Sequence, residues 1–260
     1  MINDFFPADP DAVQPVVHQD ERTLSMVFDM SSVQSRMRRA DPVALELDYT
    51  RTMMGFLLVE PDPAAILMIG LGGGSLAKYC HKHLPSADIT VVEINPHVIA
   101  LRDAFFVPRD DARFRVVLGD GAVHVARTAR RHDVLLVDGF NLDGQPDALC
   151  TPAFYRACCA ALSERGVLVV NLHAEEPACS ELIDRIDEVF DGDIRVARAD
   201  AGGNRIVFAG CSARLADCAA HFGERWAALP EVHKRTLRTS ASRVARSAAW
   251  RAPAFSAMAG

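Results

Sequence analysis

The sequence predicts an α/β fold built on a mostly parallel, seven-stranded sheet, preceded by a small β-hairpin region. Three observations carry this. Apolar runs such as Ala-Ile-Leu-Met-Ile-Gly-Leu (65–71) and Val-Leu-Val-Val-Asn-Leu (167–172) show no alternation, as strands buried on both faces should. Segments of helical spacing separate these runs. Cap and breaker residues stand where one type gives way to the other. Regular strand–helix alternation of this kind implies right-handed crossovers and helices on both sheet faces.

Residues 1–21 are polar and carry prolines, which predicts a loosely attached arm. Residues 22–35 suit a short strand or hairpin. In 36–60, Leu47, Met54, Leu57 and Leu58 fall roughly on one side of a helix. The strand at 65–71 ends at Gly72-Gly73-Gly74, and Ser75–Leu84 has helical spacing that Pro85 stops. Asp88–Ile94 is the second strand; Asn95 and Pro96 are the cap and first position of the next helix. Arg113–Gly119 is the third strand, with a helix over 122–131. His132–Phe140 is the fourth strand. Thr151 and Pro152 open a helix expected to run to Gly166 as its C-cap. The fifth strand, 167–172, precedes a helix at 181–190. The strands 193–199 and 204–210 have only a short connection and suggest an antiparallel pair at the sheet edge. Residues 212–260 are expected to form one helix and a flexible tail. The expected division is 1–60 (arm and small β/helical region), 61–211 (Rossmann-like core) and 212–260.

Composition excludes several classes. The chain has 260 residues, half of them apolar, and a formal net charge of −6, which disfavours nucleic acid as a partner. No apolar run reaches the ~18 residues of a membrane span. The first 25 residues lack a basic region followed by an apolar one, so no secretory signal is expected. Seven cysteines with no CxxC spacing point to free thiols in the cytoplasm, without zinc. His81, His83, His97, His124, His132 and His173 have no metal-binding spacing and are expected at the surface. Cys158 and Cys159 suit a helix core.

The chemistry gathers at strand ends. Gly70, Gly72, Gly73 and Gly74 lie between a buried strand and a helix, where glycine lets a ligand approach the backbone. Glu93, with Ile94 beside it, ends the next strand 19 residues after Gly74, the position of a ribose-binding carboxylate. Asp120 and Gly121 follow the third strand, where an acid can accept from an adenine amino group. Asp138 ends the fourth. No GxxxxGK[ST] lysine is present to hold phosphates, and Ser75 breaks the GxGxxG dinucleotide pattern. An acid-rich pocket without lysine suits a cationic adenosyl ligand: S-adenosylmethionine or its decarboxylated form.

These segments resemble the spermidine synthase (polyamine aminopropyltransferase) family. The glycine loop, Val-Val-Glu-Ile-Asn-Pro (91–96), Leu-Gly-Asp-Gly-Ala (118–122) and the stretch from Val137 to Tyr155 carry the likeness. The resemblance implies a Rossmann-like S-adenosylmethionine-type (methyltransferase) fold with a small N-terminal β domain, usually a homodimer. Asp29 and Gln34 resemble a hairpin whose glutamine touches the nucleotide. Tyr49 resembles a substrate-site tyrosine. Phe140 is expected to floor the acceptor pocket or pack the loop.

The departures bear on activity. The family's glycine-loop aspartate, which holds the aminopropyl ammonium, is Gly73 here; the proposed general base is Asn141, and the following proline is Leu142. The histidine beside the tyrosine is Thr50. Asparagine cannot take a proton at neutral pH, and a lost general base costs about 10²–10⁴ in rate. Asp143 is the nearest substitute. Three functions follow: aminopropyl transfer to a small polyamine amine with Asp138 holding the amine, S-adenosylmethionine-dependent methyl transfer, or non-catalytic binding.

Overall fold

The computed structural model describes residues 13–28, 33–141, 144–199, 203–211 and 213–247. Three short strands, β1 (Val16–Gln19), β2 (Thr23–Val27) and β3 (Val33–Arg38), form an antiparallel sheet in that order. Helix α1 (Asp48–Met53) and a 3-10 turn (Met54–Leu58) lead to the central sheet.

The seven remaining strands are β4 (Ala65–Ile69), β5 (Asp88–Glu93), β6 (Phe114–Leu118), β7 (His132–Val137), β8 (Leu162–His173), β9 (Ile194–Arg198) and β10 (Asn204–Gly210). Their order is β6-β5-β4-β7-β8-β10-β9, with β10 antiparallel to both neighbours and the other pairings parallel. The chain leaves β4 in one direction across the sheet and returns to β7 on the other side. That reversal opens a crevice at the carboxyl ends of β4 and β7.

Connecting helices are α2 (Ser75–His83), α3 (Pro96–Ala100), α4 (Gly121–Arg127), α5 (Pro152–Ala161) and α6 (Cys179–Val189). Ile66 and Met68 pack into one hydrophobic cluster with α2. Leu67 and Ile69 pack into a second with α4, α5 and α6. Successive strand residues therefore bury opposite faces, which is why the strands read as unbroken apolar runs. The caps sit where their residue types suggest. Asn95 accepts from the His97 amide at 2.9 Å, and Thr151 from the Phe154 amide at 3.0 Å.

Three expectations are corrected. Helix α5 ends at Ala161, and Gly166 lies inside β8. A Cβ on Gly166 would stand 2.9 Å from the His132 carbonyl oxygen, so glycine serves the irregular pairing of β7 with β8, not a helix end. Among the described residues, the segment after β10 is not one helix but four short ones: α7 (Arg214–Ala220), α8 (Phe222–Ala228), α9 (Glu231–Leu237) and α10 (Ala241–Ala245). Leu215, Leu229, Leu237 and Ala241 are buried in the α2-side cluster, so this segment completes the core. His132 and His233 are also buried, against the surface expectation for His132. Neither nitrogen of the His132 ring finds a hydrogen-bond partner among the described residues.

Candidate active site

A cavity of about 1100 Å³ occupies the crevice at the strand carboxyl ends. Gly70, Leu71 and Gly72 form one wall, Glu93 and Ile94 the next, then Asp120 and Gly121, then Asp138, Gly139, Phe140 and Asn141. Gln34, Ser35 and Tyr49 close it from the hairpin and α1 side.

Backbone conformation explains the glycine loop. Gly70 has φ +97° and Gly72 φ +51°, both in the left-handed region. A side chain on Gly70 would collide with the Asp138 carbonyl, so glycine here lets the ends of β4 and β7 approach closely. Among the described residues, a Cβ on Gly72 would find only Ser35 at 3.8 Å, and Gly72 lines the cavity.

Gly73 and Gly74, expected to touch the nucleotide, do not line the cavity. A Cβ on Gly73 would stand 2.5 Å from Ser35 Oγ and 2.7 Å from Phe105, and one on Gly74 would strike Val107. Both glycines permit packing of the loop on the hairpin and on the Phe105–Val107 turn.

Glu93 binds the loop that faces it. Its Oε2 accepts from the Leu71 amide at 2.8 Å and its Oε1 from the Asn95 amide at 2.8 Å. Burial raises its pKa, opposed by these backbone donors. The backbone amides of Ile94 and Gly72 also act on the carboxylate, so it sits in a ring of donors at the cavity wall. Ile94 beside it is 55% exposed, an apolar face offered to a planar ligand. Asp120 caps α4, accepting with Oδ1 from the Ala122 and Val123 amides at 2.7 and 3.1 Å. That leaves Oδ2 without a role in the cap.

Asp138 is the best-connected acid. Asn171 Nδ2 donates to its Oδ1 at 2.9 Å, and Asn204 Nδ2 donates in turn to Asn171 Oδ1 at 2.9 Å. The Tyr49 hydroxyl also bonds Asp138. Burial raises the Asp138 pKa against these two donors, and burial with the nearby Asp138 charge pushes the Tyr49 pKa well up. A buried carboxylate of this kind gains most when a cation arrives beside it. The Tyr49 hydroxyl lies 3.5 Å from the Gln34 carbonyl oxygen, so the hairpin and α1 meet at the cavity.

Phe140 stacks on His173, ring centroids 4.2 Å apart and 10° between planes. Asn141 is exposed, and its amide donates to the Gly144 carbonyl at 2.9 Å. Asp143, Leu142 and Asp29 lie outside the described residues. Six carboxylates line the cavity (Asp48, Glu93, Asp120, Asp138, Glu175 and Glu176), while no Lys or Arg does so among the described residues.

Asn171, Glu175, Glu176, Asn204 and Asp48 carry no expectation from the sequence, and His173, expected at the surface, lines the cavity. The polar run Asn-Leu-His-Ala-Glu-Glu-Pro directly after a buried strand was a usable signal, because strand carboxyl ends are where such sheets bind ligands. Asn204 had none; it arrives by antiparallel pairing opposite His173.

Comparison with known proteins bears on the family and the fold. The sequence model of the spermine/spermidine synthase domain matches residues 46–193. A polyamine aminopropyltransferase of Chromobacterium violaceum is 40% identical over 194 residues, covering 74% of each chain. An eEF1A lysine and N-terminal methyltransferase of Xenopus laevis is 29% identical over 193 residues, 67% of this chain and 28% of that one. Among solved structures, a probable spermidine synthase of Corynebacterium glutamicum superposes with a TM-score of 0.66 at 18% identity, covering 87% of this chain and 91% of that one. At that identity the superposition speaks for the fold.

Proposed function

The chain belongs to the spermine/spermidine synthase family, and on that premise we propose that it is an aminopropyltransferase, joining the aminopropyl group of decarboxylated S-adenosylmethionine to a nitrogen of a small polyamine. The observation that carries this reading is the cavity wall: six carboxylates without a Lys or Arg among the described residues, around a glycine loop with bare backbone. Such a wall favours two cationic substrates and opposes a carboxylate or phosphate.

In this reading Glu93 accepts the ribose hydroxyls, Ile94 and Gly121 flank the adenine, and Asp120 accepts from its amino group. Gln34, Gly70 and Gly72 border the sulfonium arm. Asp138, held by Asn171 and Tyr49, anchors the acceptor ammonium over Phe140. The donor supplies an electrophilic carbon beside a sulfonium. The chain supplies orientation and negative charge. A homodimer in the cytoplasm, and the division at residues 60 and 211, are further parts of the proposal. Seven free thiols support a reducing compartment.

The test is transfer of labelled aminopropyl from decarboxylated S-adenosylmethionine to putrescine, cadaverine or agmatine. Product with at least one amine, lost in Asp138→Ala, is expected; none with any amine contradicts the proposal. Methyl transfer from intact S-adenosylmethionine is the second reading, favoured by Asn141 at the family's base position. Labelled methyl transfer to a protein or amine acceptor, in the absence of aminopropyl transfer, would establish it instead.

A further inference from the structure

Helix α1 brings Tyr49 to the cavity, but its own propensity is too weak to hold it there. It has six residues, and its N-cap is Leu47, which has no side chain able to cap. Helices this short do not persist without tertiary support. We propose that Arg243 of α10, 195 residues beyond Asp48 in the chain, is a positioning residue of the acceptor site: it clamps Asp48 at the start of α1 and so holds the Tyr49 hydroxyl on Asp138. The inference rests on the aminopropyl-transfer reading above, in which Asp138 anchors the acceptor.

The clamp is built from both sides. Arg243 Nη2 donates to Asp48 Oδ2 at 2.5 Å and lies 3.5 Å from Thr52 Oγ1, one turn further along α1. Arg51 Nη2 donates to the other oxygen, Asp48 Oδ1, at 3.1 Å. Arg51 also donates to the Leu45 and Glu46 carbonyls at 2.5 and 2.9 Å, which ties the chain entering α1 to its first turn. The Asp48 side chain is 12% exposed and that of Arg243 23%. A pair this far from bulk water is screened less than a surface one, and donors on both oxygens fix the direction of the carboxylate.

The segment that carries Arg243 is itself anchored. Ser240 is fully buried, and its hydroxyl donates to the Arg51 carbonyl at 3.3 Å. Leu237 and Ala241 belong to the α2-side core. A Cβ on Gly55 would stand 3.0 Å from Val244 and 2.9 Å from Phe208, so glycine lets α10 close on the turn after α1.

Asp48 and Tyr49 line the cavity, whereas Arg51 and Arg243 are not among its lining residues. The Asp48 charge is thus gripped from behind by cations, and the neighbouring Tyr49 is the group presented to Asp138. Removing the guanidinium takes a cation from Asp48 and loosens the first turn of α1. The defect should fall on the acceptor. Glu93 and Asp120, which the reading assigns to the nucleotide, stand at the ends of β5 and β6, on the other side of β4 from Asp138.

The test measures aminopropyl transfer and methylthioadenosine binding by the full chain. It uses the wild type, Arg243→Ala, Arg243→Lys, Asp48→Asn, Tyr49→Phe and the doubles of Arg243→Ala and Asp48→Asn with Tyr49→Phe, below the melting temperature of each. Arg243→Ala should raise the acceptor KM at least about 5-fold, with kcat and methylthioadenosine affinity within about threefold of wild type. A damaged fold would instead lower kcat by removing active enzyme and leave KM alone. Arg243→Lys keeps a cation on Asp48 and should recover part of the KM. Asp48→Asn breaks the same pair from its other end and should reproduce Arg243→Ala, so it decides the matter if Arg243→Ala does not fold. In Tyr49→Phe the hydroxyl is already gone, so adding either change should raise KM by less than about twofold more. An acceptor KM equal to wild type in both Arg243→Ala and Asp48→Asn overturns the inference alone. So does a rise in KM that is just as large in the Tyr49→Phe background, or a fall in kcat and nucleotide affinity with KM unchanged. No aminopropyl transfer by the wild type overturns the underlying reading and this inference with it.

Discussion

Replacing Gly73 by aspartate would restore the family's pattern, and the structure predicts that it harms the protein without improving donor binding. A Cβ at this position meets Ser35 Oγ at 2.5 Å and Phe105 Cδ1 at 2.7 Å, about 0.9 and 0.7 Å short of ordinary contact at 3.4 Å. Ser35 can rotate. Phe105 cannot retreat easily, being 1% exposed within the α2-side cluster. Gly73 has no positive φ, so the effect is steric and not a matter of backbone strain. Overpacking of this kind costs about 1–3 kcal/mol. In a domain of this size each kcal/mol lowers Tm by roughly 2–4 °C, so a fall on the order of 5 °C is expected by calorimetry or circular dichroism. Gly73→Ala should show most of the loss. Ser35→Ala should relieve part of it, giving a coupling of at least ~0.5 kcal/mol in the double-mutant cycle. Decarboxylated S-adenosylmethionine should bind Gly73→Asp no more tightly than wild type. An unchanged Tm together with an approximately tenfold gain in affinity would refute the packing argument and return the position to the nucleotide.

Further outcomes follow from the same contacts. Glu93→Gln places an amide against the Leu71 and Asn95 amides and removes the charge that would meet a ribose diol, so methylthioadenosine affinity should fall about 10–100-fold; an unchanged isotherm would contradict the ribose role. Asp138→Asn keeps an acceptor for Asn171 but loses the charge. The acceptor KM should rise at least ~10-fold while nucleotide affinity holds, and the reverse pattern would move Asp138 to the donor side. Burial lowers the pKa of both His132 and His233 to about 4. The unfolded chain takes up these protons near pH 6.5 and the native state only near pH 4, so stability should drain away as pH falls through that window, by about 2–3 kcal/mol for each ring. Denaturant titrations at pH 7 and 4.5 check this, and His132→Asn should flatten the slope.

The sheet was legible because its strands are buried on both faces. Unbroken runs such as Ile66–Ile69 have no competing helical reading once glycine and cap residues bound them. Asn95 and Thr151 announced helix starts because their side chains satisfy amide donors of the first turn. Two kinds of feature stayed hidden. The end of α5 depends on tertiary pairing: Leu162–Arg165 have acceptable helix formers, but the strand beside His132 claims them. The role of Gly73 depends on which way a missing side chain would point, and family pattern alone set it toward the nucleotide when the fold turns it toward Phe105. Within the site, Glu93, Asp120 and Asp138 were readable as strand-end acids. Asn204 was brought in by a strand distant in sequence, with no local signal, whereas Tyr49 was marked by the family resemblance.

The most direct measurement is a calorimetric comparison of decarboxylated and intact S-adenosylmethionine binding to the wild-type chain under identical salt. The two ligands differ by a single carboxylate, which would enter a cavity whose charged lining is wholly acidic among the described residues. The decarboxylated form should bind at least ~10-fold more tightly, the equivalent of about 1.4 kcal/mol. Equal affinity, or preference for the intact form, would contradict a cavity made for two cations.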